Sequence, residues 1–307
     1  MGRFRYSVRI LYWGNRMRNK YRLSSNAFDR EREEDKVSPQ KIFFLSAEGN
    51  NTEKEYFDGI SAHRQVLGIN ALVNVEVLKR SRNDTLSAPQ HVVELLEEYL
   101  QLRENGEETF SNDIPEELIE KYGVLFFETF LEYSESLYRK QRNEFNTELR
   151  KIGYDILYRK YLNSHREELD EFGILIDRDS GSHSEEEMLQ CIQHCIDNGY
   201  NCYISNPCFE FWLLLHLSDI IKEEYAGRMD ELKRNETVSS KHTFISKELS
   251  EKAHHGKSGI AFKEKYLPYV DTAVERAKEF AGEELELVDN IGSNIYKLIE
   301  DMKRYGK

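Results

Sequence analysis

Short apolar runs alternate with longer amphipathic stretches along this chain. Lys41–Ala47, KIFFLSA, is a short apolar run that fits a buried strand. Gly49 and two asparagines break it. Thr52, with Glu55 three positions on, has the capping-box spacing of a helix start. Ala71–Leu78, ALVNVEVL, alternates like a second strand, and Lys79–Thr85 is a polar, basic loop. APQHVVELLEEYLQLRE then reads as a helix with Pro89 near its first turn.

The texture changes after a polar loop over 105–113. Residues 115–161 carry Phe126, Phe127, Phe130, Leu131, Tyr133, Leu137 and Tyr138 at helical spacing, which predicts the core of a helical hairpin. A third apolar run, Phe172–Ile176, ends abruptly in Asp177, Arg178 and Asp179. The next segment, SEEEMLQCIQHCIDNGY, predicts a helix capped by Ser184, favoured by three glutamates in its first turn and ended by Gly199. NCYISNP is a further short strand and CFEFWLLLHLSD an apolar helix. The stretch 220–257 is polar and loop-rich, LPYVDTAVERAKEFA is amphipathic, and IGSNIYKLIEDM closes the chain as a helix. There is no internal repeat. Strands alternating with helices predict an α/β fold around a mostly parallel sheet, in which ligands sit beyond the carboxyl ends of strands.

The bulk numbers narrow the class. With 307 residues, 39% hydrophobic and 32% charged, the chain is long enough for a substantial core and reads as a charge-rich globular protein. No apolar run reaches the roughly 20 residues of a membrane span, and no secretory h-region is visible, so the expected address is the cytoplasm. The four cysteines, Cys191, Cys195, Cys202 and Cys208, lack a C-x2-C pair and are read as small buried residues rather than zinc ligands. Net charge is −13, yet residues 1–22 contain Arg3, Arg5, Arg9, Arg16, Arg18, Lys20 and Arg22 with no acid, interleaved with Tyr6, Tyr12, Trp13 and Tyr21. That is a composition that grips phosphates and stacks on bases; a solvated arm, or one docking on an acidic partner, is the other reading. Lys79, Arg80 and Arg82 are candidate phosphate contacts after the second strand.

The acids bring in chemistry. Asp177 and Asp179, at i and i+2, point the same way if the backbone stays extended, and Glu48 follows another strand. Carboxylates gathered at adjacent strand ends repel each other, and a hard divalent cation such as Mg²⁺ or Mn²⁺ relieves that. Such an ion activates water and stabilises a leaving oxygen at a phosphodiester. Alternatively, the D-x-D merely caps a helix. His216, late in the apolar helix, is read as a packed or capping histidine, with a role behind the site as the alternative. His254, His255 and Lys257 fall in a surface loop that is alternatively a phosphate-contacting lid.

SAEGNNTEKEYF, LIDRDS, SNPCFEFWLLLH and NIGSNIYKLIEDM, in this order, resemble the conserved blocks of RloB-like proteins. The last lacks the proline usual there, at Asn290–Ser293. The resemblance implies a Toprim-like fold and a place in bacterial restriction and phage-defence loci, often beside an AAA-type ATPase, as in the AbiL abortive-infection system. It implies Glu48, Asp177 and Asp179 as metal ligands, with Glu48 alternatively a general acid or base. It implies Asn206 and Glu210 as residues lining the same crevice, and Glu53 as a second acid of the first block, which is alternatively helix-start structure.

The expected organisation is a basic arm and linker over 1–40, a Toprim-like domain over 41–104 and 166–307, and a helical insertion over 105–165. The expected activity is a Mg²⁺- or Mn²⁺-dependent nuclease acting on DNA or a structured RNA such as tRNA. Glu48, Asp177, Asp179 and Glu210 would carry the chemistry; Arg178, the basic loop and Asn206 would contact the nucleic acid. An ATPase partner and a homo-oligomer are expected, a membrane is not. Two rivals stand beside it: a non-catalytic nucleic-acid-binding subunit that recruits the ATPase, and a haloacid-dehalogenase-type phosphatase using Asp177 as nucleophile.

Overall fold

The computed structural model describes Leu23 and residues 39–49, 51–80, 86–105, 114, 116–152, 154–164, 167–218, 221–253 and 259–305. Arg3, Arg5, Arg9, Arg16, Arg18, Arg82 and the segment with His254, His255 and Lys257 lie outside the described residues.

The apolar runs form a five-stranded sheet. Strands β1 (Lys41–Ala47), β2 (Val73–Val77), β3 (Glu171–Asp177) and β4 (Asn201–Asn206) lie in the order β2-β1-β3-β4, all parallel, and the two-residue strand Gly292–Ser293 adds antiparallel to β4. Both faces are covered, so inward positions alternate between two cores. Phe43, Leu45, Ala47, Leu175 and Tyr203 face one; Ile42, Phe44, Ile174, Ile176, Cys202 and Ile204 face the other.

Helix α1 (Thr52–Ala62), which links β1 to β2, packs on the first face with Phe209–Leu217 and the C-terminal helices Val270–Ala277 and Ile295–Arg304. Helix α2 (Pro89–Asn105) and the helix Glu185–Asn198 pack on the second. Ser184 and Glu187 form a complete capping box for the latter, and Gly199 ends it with φ 73° in the left-handed region.

Between α2 and β3 the described residues hold four helices, Glu116–Tyr122, Val124–Tyr133, Arg139–Lys151 and Ile156–Ser164. Phe127 and Phe130 of the aromatic stripe are buried around Phe145, with the Phe130 and Phe145 rings edge-on at 4.9 Å. Tyr133 and Tyr138 are exposed, so the stripe is only partly core. The chain bends between them through a short 3-10 turn, Ser134–Ser136, which takes the later aromatics off the packed face.

Two other expectations change. The stretch 220–257 is more ordered than its polarity suggested: its described part holds helices, the hairpin Thr237–Ser239/His242–Thr243 and the helix Phe244–Ala253, anchored by buried Leu232, Ile245, Leu249 and Ala253. Thr52 does not cap α1. It is the first helical residue, and the Glu55 carboxylate instead accepts the Ile260 N–H at 2.8 Å, joining the start of α1 to a segment two hundred residues later.

The four cysteines are buried and free. His216 is fully buried: Nδ1–H donates to the Trp212 carbonyl at 3.0 Å, and Nε2 accepts from the Tyr56 hydroxyl at 3.1 Å. It is a packed core histidine. Burial pushes its pKa down to about 3.

Candidate functional site

β1 continues leftward to β2, whereas β3 pairs on its other side. The seam between β1 and β3 is therefore the topological switch point, where the carboxyl ends of neighbouring strands open a crevice. Glu48 is the first residue after β1, and its N–H donates to the Leu175 carbonyl at 2.9 Å. Asp177 is the last residue of β3, and its N–H donates to Glu48 Oε2 at 3.1 Å. Two residues far apart in the chain thus become neighbours through strand register.

Two more acids join them. Glu53, in the first turn of α1, is buried with its carboxyl against Gly49. Glu210 is in the first turn of Phe209–Leu217, beside the Phe209 N–H that donates to Asp177 Oδ1 at 2.9 Å. Burial, then the charges of Glu48, Glu210 and Glu53, push the Asp177 pKa well above the usual carboxylate range, with the Phe209 N–H opposing. Burial, reinforced by Glu210 and Glu48, pushes Glu53 up to about 7, against its own backbone amide and the charge of Arg80. The four acids therefore form one mutually repelling cluster.

Asp179 stands apart from this cluster. The strand ends at Asp177, so the extended backbone that would aim both aspartates alike stops two residues before Asp179. Asp179 is exposed; its Oδ2 accepts from Ser182 Oγ at 2.7 Å and its Oδ1 from the Gly181 N–H at 3.3 Å. Among the described residues, no three of the acids, histidines or cysteines are placed as a ready metal cage.

The expected nucleic-acid contacts are placed differently. Arg178 is buried and donates from Nε to the Val288 carbonyl at 2.7 Å and from Nη1 to the His183 carbonyl at 2.8 Å. Asn206 is 2% exposed and its amide donates to the Leu287 carbonyl at 2.8 Å. Both side chains are thus engaged with backbone carbonyls of the core. Arg80 is also buried; its Nη1 donates to the Leu86 carbonyl at 2.8 Å, and its charge acts on Glu53 rather than being presented to solvent. Lys79 is half-buried, with its ammonium 5.3 Å from the centre of the Tyr158 ring.

The sequence reading missed His183. Its ring is buried, and Nε2 lies 3.3 Å from Glu48 Oε1. The hydrogen bond to Glu48 raises its pKa against the effect of burial. The signal was faint: one histidine in a polar stretch, four residues past Asp179.

Fold and site together define an α/β protein with a carboxylate cluster at the switch point of its sheet. A family model described as RloB-like protein matches residues 43–302. The chain belongs to the RloB-like family. No match was found among curated proteins or solved structures. No helix among the described residues is long and apolar enough to cross a membrane.

Proposed function

We propose that this protein is a divalent-cation-dependent nuclease of the Toprim type, acting on DNA or structured RNA as an effector of phage defence under the control of an AAA-type ATPase. The observation that carries this reading is the meeting of Glu48 and Asp177 at the strand ends of the switch point, where the Asp177 N–H donates to Glu48 Oε2 and the Phe209 N–H to Asp177 Oδ1, with Glu53 and Glu210 beside them. The donors are all carboxylate oxygens, the chemistry that suits Mg²⁺ or Mn²⁺. Glu48 and Asp177 are the central ligands in this reading, with Glu210 beside them and Asp179 reached from its turn. The ion, when bound, supplies stabilisation of charge on the phosphoryl oxygens.

The chain's own residues do the rest. Phe209 N–H fixes one Asp177 oxygen, and Asp177 N–H fixes one Glu48 oxygen. A carboxylate of this cluster accepts the proton of an attacking water as the water oxygen bonds to phosphorus and the ester oxygen departs with the bonding electron pair. The test is cleavage of nucleic acid by purified protein with Mg²⁺ or Mn²⁺, partner ATPase and ATP. Cleavage retained in Asp177→Ala, or absent from the wild type across DNA and RNA, defeats the reading.

A non-catalytic binding subunit is favoured by one observation, the engagement of Asp179 by its own turn. Nucleic-acid binding and defence that survive loss of Glu48, Asp177 and Asp179 support it. The phosphatase reading needs Asp177 as nucleophile, and the late position of the Asp-x-Asp and the Glu48 carboxylate that accepts the Asp177 N–H both count against it.

A further inference from the structure

The segment 177–183 is a turn held from several sides. The Asp179 carbonyl accepts the Ser182 N–H at 2.8 Å and the His183 N–H at 3.0 Å, and the Asp179 N–H donates to the Pro207 carbonyl at 3.0 Å. The His183 carbonyl accepts from buried Arg178, which is itself fastened to the Val288 carbonyl. Ser184, the next residue, is locked in a capping box. The backbone of His183 is therefore fixed on both sides, and its side chain is 4% exposed. A solvated loop histidine has none of these restraints. The one polar partner its ring reaches among the described residues is Glu48 Oε1.

We infer that His183 is a positioning residue for Glu48 and that Arg178 holds His183 in place, so that the Asp-Arg-Asp turn sets Glu48 as well as supplying Asp177. Glu48 has a flexible side chain and follows the last residue of β1. Its two oxygens are anchored separately, Oε2 by the Asp177 N–H and Oε1 by the His183 ring. One anchor is the last residue of β3 and the other lies in the turn that follows it, so the carboxylate is held on both oxygens relative to Asp177. Groups that hydrogen-bond a ligating carboxylate set its direction and basicity. The buried guanidinium between Asp177 and Asp179 thus supports the site from below, through two carbonyls, with no contact to a substrate. The consequence for metal affinity rests on the proposed function; the placement of Glu48 by His183 does not.

The experiment uses the full chain, as wild type, His183→Ala and His183→Gln, with folding checked by thermal melting. The first readout is the ¹³C side-chain carboxyl resonance of Glu48, assigned by its loss in Glu48→Gln. It is expected to shift in His183→Ala and to return toward the wild-type position in His183→Gln, which restores a donor. The second is Mn²⁺ affinity by calorimetry, expected to fall about tenfold in His183→Ala and to recover in His183→Gln. A Glu48 resonance unmoved by His183→Ala overturns the inference. A wild type that binds no Mn²⁺ counts against the proposed function, while the Glu48 resonance still decides the role of His183. If His183→Ala does not fold, the ring ¹⁵N resonances of His183 are compared in wild type and Glu48→Gln. Resonances that do not move overturn the inference; a shift supports it.

Discussion

The carboxyl of Glu53 lies over Gly49: a Cβ built on Gly49 would stand 2.2 Å from both Glu53 oxygens. The glycine after Glu48 is therefore a packing requirement of the second acid. Gly49→Ala is expected to push the Glu53 carboxyl from its buried place. Because a side chain rather than the backbone gives way, the stability change should be about 1 kcal/mol. The Glu53 pKa, read by carboxyl ¹³C titration, should drop from about 7 toward the ordinary value of 4.5. Titration still centred near 7 in Gly49→Ala would contradict the contact.

Asp177→Asn separates function from stability. The amide oxygen still accepts the Phe209 N–H, while the repulsion from Glu48, Glu210 and Glu53 disappears. At alkaline pH, where Asp177 is ionised, the variant without divalent cation should melt roughly 2–4 °C higher than wild type, the shift that about 1 kcal/mol produces in a large domain. With Mn²⁺ the order should reverse, because only the wild type gains from the ion. Melting curves with and without Mn²⁺ check both halves.

Glu53 makes stability fall as pH rises. Its pKa in the folded chain, about 7, lies above the ordinary 4.5, so the folded state holds the proton more tightly. The penalty is absent below about 4.5, grows as pH rises through 7 and is complete above it, on the order of 3 kcal/mol. Glu53→Gln should therefore gain on wild type at pH 8 relative to pH 4.5 by that amount in metal-free urea unfolding. A cation held by the neighbouring acids would favour the ionised form of Glu53 by its charge, so Mn²⁺ affinity should weaken as pH drops below 7.

His216 acts in the opposite direction. Its folded pKa, about 3, lies below the ordinary 6.5, so its contribution is present above 6.5 and is lost as pH falls toward 3. At pH 5 about 2 kcal/mol of it should be gone. His216→Gln cannot take up the proton, so its stability should fall less between pH 7 and pH 5, whatever its starting value. Equal slopes in urea unfolding at the two pH values would rule this out.

Gly292 is a second close approach. A Cβ there would stand 2.1 Å from the Ala281 carbonyl oxygen, which is backbone and cannot swing aside. Gly292→Ala should destabilise by about 2–3 kcal/mol, measured by denaturant midpoint.

Much of this was legible in the order of residues. β1, β3 and β4 show as apolar runs because both faces of the sheet are buried, and Ser184 and Gly199 bracket a helix by cap chemistry alone. The strand-end positions of Glu48 and Asp177 follow from where those runs stop. What the sequence does not show turns on single residues. The strand ends at Asp177, so Asp179 falls in the turn that follows it. Neither the charge of Arg178 nor the family block around Asn206 shows that both side chains hold core carbonyls, those of Val288 and Leu287. Glu53 reads equally as helix-start chemistry, since burial is invisible in a polar stretch. His183 depends on contacts across 135 residues of chain, which no local pattern records.

The seam between β1 and β3 also sets a timetable. During synthesis Glu48 and Glu53 emerge early, but Asp177 arrives more than a hundred residues later, and Glu210 after β4. Until then the first two acids have only each other to repel and no second wall to face. A ribosome-bound fragment that stops before β3 holds half a cluster, and a chain truncated there has none of the crevice. Assembly of the site is thus a late event by topology, arriving only with the long-range pairing that completes the sheet.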